Sequence, residues 1–313
     1  MMKRLVVLLT LVIAMTCVPW LAADPIDLAA KPVQDQINSL GNQTTKPESQ
    51  MLIAQRGKRL RRSQDSDSST PTTTNATTFS ASKVKQVREQ AQKAIDLGQP
   101  THNGWAKSGA DPTKLLPAFA PLRIKDGFVL RAYQYCQGGN GNGIVWAMPA
   151  NAEFPDPEKC PKVKDRFLEA PKPPAALDDV MEVVQGDDSP WSYLAASLLQ
   201  RELKEFGAMW HGTNWNTHRV LGENPLKADN GEGRTIMDRP SGKPEEWKWL
   251  ERSPRQWNPQ VRVEKDRVTV TFYTYSGHQK QTIYRHTDTF KRGSYRFKTE
   301  RKEMAQGPGG FLF

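Results

Sequence analysis

The side chains best placed to do chemistry in this 313-residue chain are His286 and Asp288. They lie two apart in Thr282-Ile-Tyr-Arg-His-Thr-Asp-Thr-Phe290, a run rich in β-branched and aromatic residues. Such a run reads as a strand. Its two-residue period puts Thr282, Tyr284, His286, Asp288 and Phe290 on one face and Ile283, Arg285, Thr287 and Thr289 on the other. If the first face is the inner one, a carboxylate beside the imidazole raises its basicity and holds its tautomer, as a general base requires, with Tyr284 in a polar supporting role. The competing reading is that His286 and Asp288 satisfy each other, or face solvent beside Arg285.

A second cluster lies in Met209-Trp-His-Gly-Thr-Asn-Trp-Asn-Thr-His218. Trp210, His211, Trp215 and His218 are candidates for a ligand surface, since aromatic rings suit glycan or apolar ligands through stacking and area burial. Packing under a sheet competes with that role for Trp210, Trp215 and Trp191. His211 and His218 are seven apart, but Gly212-Thr213-Asn214 argues against a helix joining them, and no His-Glu-x-x-His pattern occurs. No metal or cofactor is expected. Nucleophilic catalysis has no Gly-x-Ser-x-Gly motif to support it.

The first 23 residues read as an export leader, with basic Lys3-Arg4, an apolar core from Leu5 to Val18, and Leu21-Ala22-Ala23 as a cleavage site before Asp24. A secreted chain, periplasmic or extracellular, is the expectation. Its two remaining cysteines, Cys136 and Cys160, are then expected to pair as a disulfide, worth roughly 3.5 kcal/mol for a loop of about 25 residues. Two separate buried thiols are the alternative.

The formal charge of +10 falls to about +8 without Lys3 and Arg4, and five of those charges lie between Arg56 and Arg62. The rest carries about +3, without the clustered basic surface that nucleic acid requires. Residues 24–82 are rich in Ser, Thr and Gln and poor in aromatics, so they read as a disordered tether. Its basic run 56–62 suits weak contact with an anionic envelope surface, or is simply a solvated charge run.

The elements that must position these residues begin with a helix at roughly 83–96, from Val84, Val87, Ala91, Ala94 and Ile95. A hairpin follows, from Gly127–Cys136 and Ile144–Met148, with Gly138–Gly143 as its loop; no helix or Lys follows that loop to make it a phosphate cradle. Leu177 to Val184 reads as a short helix. A stronger one starts at the N-cap Ser189 and stacks Trp191, Leu194, Ala195, Leu198, Glu202 and Phe206 on one face before Gly207, all apolar but Glu202. Residues 222–246 read as a long surface loop. Val261–Val263, Val268–Tyr275, Gln281–Phe290 and Tyr295–Glu300 read as an antiparallel meander. Gly307-Pro-Gly-Gly310 should end any strand, leaving Phe311-Leu-Phe313 as a tail on the body. The fold class is α+β, a single folded domain over 83–313.

Val261-Arg-Val-Glu-Lys-Asp-Arg-Val-Thr-Val-Thr-Phe272 and Tyr284-Arg-His-Thr-Asp-Thr-Phe-Lys-Arg-Gly-Ser-Tyr-Arg-Phe-Lys298 resemble the closing strands of NTF2-like domains, over residues 189–303. The resemblance implies a bent sheet around helices at 189–206 and about 214–221, enclosing a pocket that holds His286 and Asp288. The Gly-rich hairpin, the cysteine pair and the 222–246 loop depart from that pattern. The functional expectation is a non-catalytic binding protein for a small molecule, a glycan or an envelope partner. A pocket enzyme of isomerase, dehydratase or hydrolase type, using His286 with Asp288, is the alternative.

Overall fold

The computed structural model describes residues 76–95, 97, 102–165, 168–209, 213–227, 236–237 and 240–312. The leader, the basic run 56–62, Trp210 and His211 lie outside the described residues.

In chain order, β1 (Thr77–Thr78) precedes α1 (Ala81–Ala94), so regular structure starts before Lys83. Then come β2 (Gly104–Lys107), β3 (Arg123–Ile124), β4 (Phe128–Gln137), β5 (Asn140–Pro149), β6 (Lys162–Asp165), β7 (Leu168–Pro171) and β8 (Val184–Gln185). The central helix α2 (Pro190–Lys204) follows. Next are β9 (His218–Val220), β10 (Lys248–Trp249), β11 (Gln260–Val263), β12 (Arg267–Ser276), β13 (Lys280–Lys291) and β14 (Phe297–Gly309). The main sheet is a curled half-barrel in the order β1-β11-β12-β13-β14-β10. β9 joins the same edge of β12 where β11 stops, pairing Val220 with Thr274 and His218 with Ser276. The α+β class and the four-strand meander are thus present.

α2 is held at its start by Ser189, whose hydroxyl accepts from the Ser192 N–H at 3.2 Å, a cap worth about 1 kcal/mol. Spacing predicts one apolar face, yet Tyr193 through Leu199 are all buried. The helix lies between the main sheet and the smaller β2-β4-β5 sheet, so it needs apolar side chains on both sides. Val261, Val268, Val270, Phe272 and Phe290 meet it from the concave face of the main sheet. The opposite face is covered by Trp247 and Trp257 against Tyr275, Ile283 and Met304.

Several expectations are corrected. Cys136 and Cys160 are both free and buried. Tyr133 packs with Cys160, while Cys136 is three residues further along the same unbroken strand and so points from the other face of the sheet. The Tyr133 hydroxyl lies 3.2 Å from the Cys160 sulfur. The Gly-rich loop shrinks to a two-residue turn, Gly138 and Gly139 at φ 56° and 83°, the left-handed pair a tight hairpin needs. Gly143 belongs to β5, where a Cβ would lie 2.2 Å from the Phe206 carbonyl oxygen. The expected short helix at 177–184 is a 3₁₀ turn, Val180–Val183, leading into β8. The helix placed at 214–221 is a 3₁₀ turn, Trp215–Thr217, followed by β9. β14 continues to Gly309, because Pro308 lies past the last β10 pairing, at an edge where a missing N–H costs little. Phe311 bridges back beside His278, as expected of a tail that packs on the body.

Candidate functional site

His286 and Asp288 both point to the concave side, 3 % and 0 % exposed. They do not form the expected dyad. Residues i and i+2 on one face of a strand are separated by roughly 7 Å, beyond the reach of a short aspartate side chain. Asp288 instead receives a bidentate pair from Arg201 of α2, Nη1 to Oδ2 at 2.7 Å and Nη2 to Oδ1 at 2.9 Å. The hydroxyls of Ser197 and Thr299 also donate to it. The carboxylate is thus the anchor of α2 on the sheet, not the orienting partner of His286.

The partner of His286 is Thr274. Its Oγ1 lies 2.8 Å from His286 Nε2 and also 2.8 Å from His218 Nδ1. Register explains the meeting. Phe272 opposes His286 and Thr274 opposes Tyr284, while β9 brings His218 alongside Ser276 on the other edge of β12. His286 stacks flat on Phe272, centroids 4.7 Å apart, and stands nearly perpendicular to the Trp215 ring at 5.9 Å. His218 stacks on Trp215 at 5.5 Å and touches the Tyr284 ring at 5.2 Å. Burial pushes His218 down to about 3, helped by the charges of Arg301, Arg88 and Arg201. Burial likewise lowers His286 well below the ordinary imidazole range, followed by Arg201, His218 and Arg301. Both rings are neutral at pH 7.

Two residues outside the expected set hold this arrangement. Arg88 on α1 donates through Nε to Glu202 at 2.6 Å, through Nη1 to the His218 carbonyl at 2.6 Å and through Nη2 to the Trp215 carbonyl at 3.2 Å. Glu202 also accepts the Trp215 indole N–H at 2.8 Å. The 3₁₀ turn that presents Trp215 and His218 is therefore fastened to both helices. Glu202 carried a signal in the sequence, as the single carboxylate in an otherwise apolar helical stripe. Arg88 carried none beyond its place in α1.

Above the histidines is a cleft of about 330 Å³, bounded by Gln200, Arg201, Lys204 and Glu205 of α2, by Asn214, Trp215 and His218, and by His286, Thr299 and Arg301 of the sheet. Three cations and one carboxylate line it, and Arg301 lies 4.9 Å over the Tyr284 ring at its exposed rim. Of the proposed ligand surface, Trp215 and His218 are in this cleft, while Trp210 and His211 are outside the described residues. Tyr284 is half-buried behind the rim. Among the described residues, no group of three or more His, Cys, Asp or Glu side chains could hold a metal ion. No helix among them is long and apolar enough to cross a membrane. Comparison with family models, with curated proteins and with solved structures finds no match.

Proposed function

We propose that this chain is an exported binding protein whose cleft, between α2 and the β13-β14 end of the curled sheet, takes a small anionic molecule. The observation that carries the binding reading is the lining of that cleft, three cations against one carboxylate. After burial, Arg201 and Arg301 are among the causes that lower the histidines below them, the sense in which a nearby negative charge would be favoured. Arg201 is already paired with Asp288, and the exposed Arg301 is the charge offered to a ligand at the mouth. A carboxylate or phosphate on a compact molecule fits that lining. The export half of the proposal rests on the composition of residues 1–23, and the intact mass of the recovered chain, beginning at Asp24 or not, tests it. The curl of the sheet over α2 also supports an NTF2-like reading of residues 189–303.

Thermal unfolding in the presence of phosphate, citrate and pyruvate tests the binding half. A ligand at a hundred times its Kd stabilises a fold by about 2.7 kcal/mol, well within detection. At least one of these anions is expected to raise the Tm, and Arg301→Ala to remove most of that rise. Arg301 is exposed, so its removal leaves the fold standing. No shift with any anion, or an undiminished shift in the variant, would refute an anion cleft, and stabilisation by neutral oligosaccharides alone would favour a glycan instead.

A further inference from the structure

We propose that His218, Thr274 and His286 form a proton-transfer chain on the floor of the cleft, able to interconvert the keto and enol forms of a small carboxylate whose carbonyl acidifies a neighbouring C–H. The substrate class rests on the anion-binding reading above; the chain itself rests on the hydrogen-bond geometry of two neutral rings.

A threonine hydroxyl has one proton. With Oγ1 2.8 Å from a nitrogen of each ring, it donates to one imidazole and accepts from the other. A neutral imidazole has one N–H and one bare nitrogen, so the state of each ring dictates that of its partner. If His218 donates from Nδ1, its Nε2 is bare, Thr274 donates to His286 Nε2, and His286 holds its proton on Nδ1. If His286 donates from Nε2, its Nδ1 is bare and His218 holds its proton on Nε2. The two rings are therefore always in the same tautomer, both Nδ1–H or both Nε2–H. Their outer nitrogens are always complementary, one a proton acceptor and one a donor. Both rings line the cleft, with centroids 5.7 Å apart. Burial and the nearby guanidinium groups keep them neutral, so each ring carries one N–H and one bare nitrogen.

The reaction balances without any co-reactant. The bare outer nitrogen of one ring takes the proton of the acidified C–H; that C–H bond breaks and its electron pair becomes the C=C of the enol. The inner N–H of the same ring passes its proton to Thr274 Oγ1, whose own proton moves to the inner nitrogen of the second ring. The second ring's outer N–H gives its proton to the carbonyl oxygen, forming the enol O–H. Both rings end neutral and in the opposite tautomer, the state that runs the reverse step. His218 and His286 are the catalytic residues, and Thr274 is a positioning residue that couples them. A carboxylate on the same molecule would seat toward the exposed Arg301 at the mouth.

Two measurements on the full chain test this. Nitrogen-15 NMR of the histidine rings without ligand should show His218 and His286 in the same neutral tautomer; one ring Nδ1–H and the other Nε2–H would overturn the coupling whatever binds above it. Proton NMR of pyruvate in D₂O should show the protein speeding exchange of the methyl hydrogens on the order of a hundredfold over buffer. Thr274→Val, which keeps the shape and removes the hydroxyl, should lose most of that acceleration while pyruvate still raises the Tm, and Thr274→Ser should restore it. Pyruvate that binds without accelerated exchange, or exchange equal in wild type and Thr274→Val, would overturn the proton-transfer reading. Pyruvate that fails to bind at all would instead overturn the substrate class, and the tautomer result would still decide the coupling.

Discussion

Arg88 is where removal of one side chain should disturb most of the cleft's back wall. Its guanidinium holds Glu202 and the carbonyls of Trp215 and His218, and stacks 4.3 Å from the Trp215 ring. Arg88 and Glu202 are 7 % and 4 % exposed, so either alone is an uncompensated buried charge. Arg88→Met is expected to cost about 3–5 kcal/mol in urea unfolding. Adding Glu202→Leu should recover only part of that loss, because the two carbonyls stay without their donor. Strictly additive losses in the double variant would show that the pair is not coupled. Asp288 illustrates the limit of reading at this scale. Strand alternation correctly puts its side chain on the face of His286, but its partner comes from Arg201, 87 residues earlier, and no local spacing points there.

Among the elements, the chain just past α2 and the β4-β5 hairpin meet in a close backbone contact, one residue from Glu205 of the cleft. Gly143 of β5 lies so near the end of α2 that a Cβ would stand 2.2 Å from the Phe206 carbonyl oxygen and 3.0 Å from its carbon. The obstacle is backbone, so the helix end must retreat, carrying Glu205 and Lys204 away from the sheet. Gly143→Ala is expected to cost about 1–3 kcal/mol and to weaken anion stabilisation. Gly109→Ala, with nothing within 4 Å of the new methyl, should stay within about 0.5 kcal/mol of wild type. Equal Tm values for the two variants would show that the hairpin does not press on α2. This contact was hidden in a stretch of glycines that reads equally well as a loose loop. The meander and the cap at Ser189 were legible because each depends on neighbours in sequence: a period of two, or a hydroxyl three residues before an N–H. The 3₁₀ turn and strand at 215–220 were not, because they are imposed by Arg88 and by pairing with β12. Thr274 escaped notice for the same reason, since its role exists only once β9 and β13 flank β12.

At the scale of the whole molecule, folding removes two histidines from water and keeps them neutral among arginines, and this couples stability to pH. His218 has its folded value pushed down to about 3, against an ordinary value near 6.5 in the unfolded chain, and His286 is lowered in the same direction. Between those limits the unfolded state binds more protons than the folded one, so stability rises with pH and falls on acidification. The loss starts as pH drops through about 6.5 and, for His218, is complete only near 3. One pKa unit corresponds to about 1.4 kcal/mol, so from pH 6.5 to pH 5 the expected loss is about 2 kcal/mol from His218, with His286 adding in the same sense. Unpaired carboxylates titrate near 4, below this window, which leaves the histidines as the groups that set the slope. Urea midpoints at pH 7 and pH 5 measure it. His218→Gln should flatten that slope even though it also loses the Thr274 hydrogen bond, so the change between the two pH values is the readout and absolute stability is not. A slope equal to wild type in His218→Gln would mean that this ring is already charged or solvated in the folded protein, and the proton-transfer chain would lose the neutrality on which it depends.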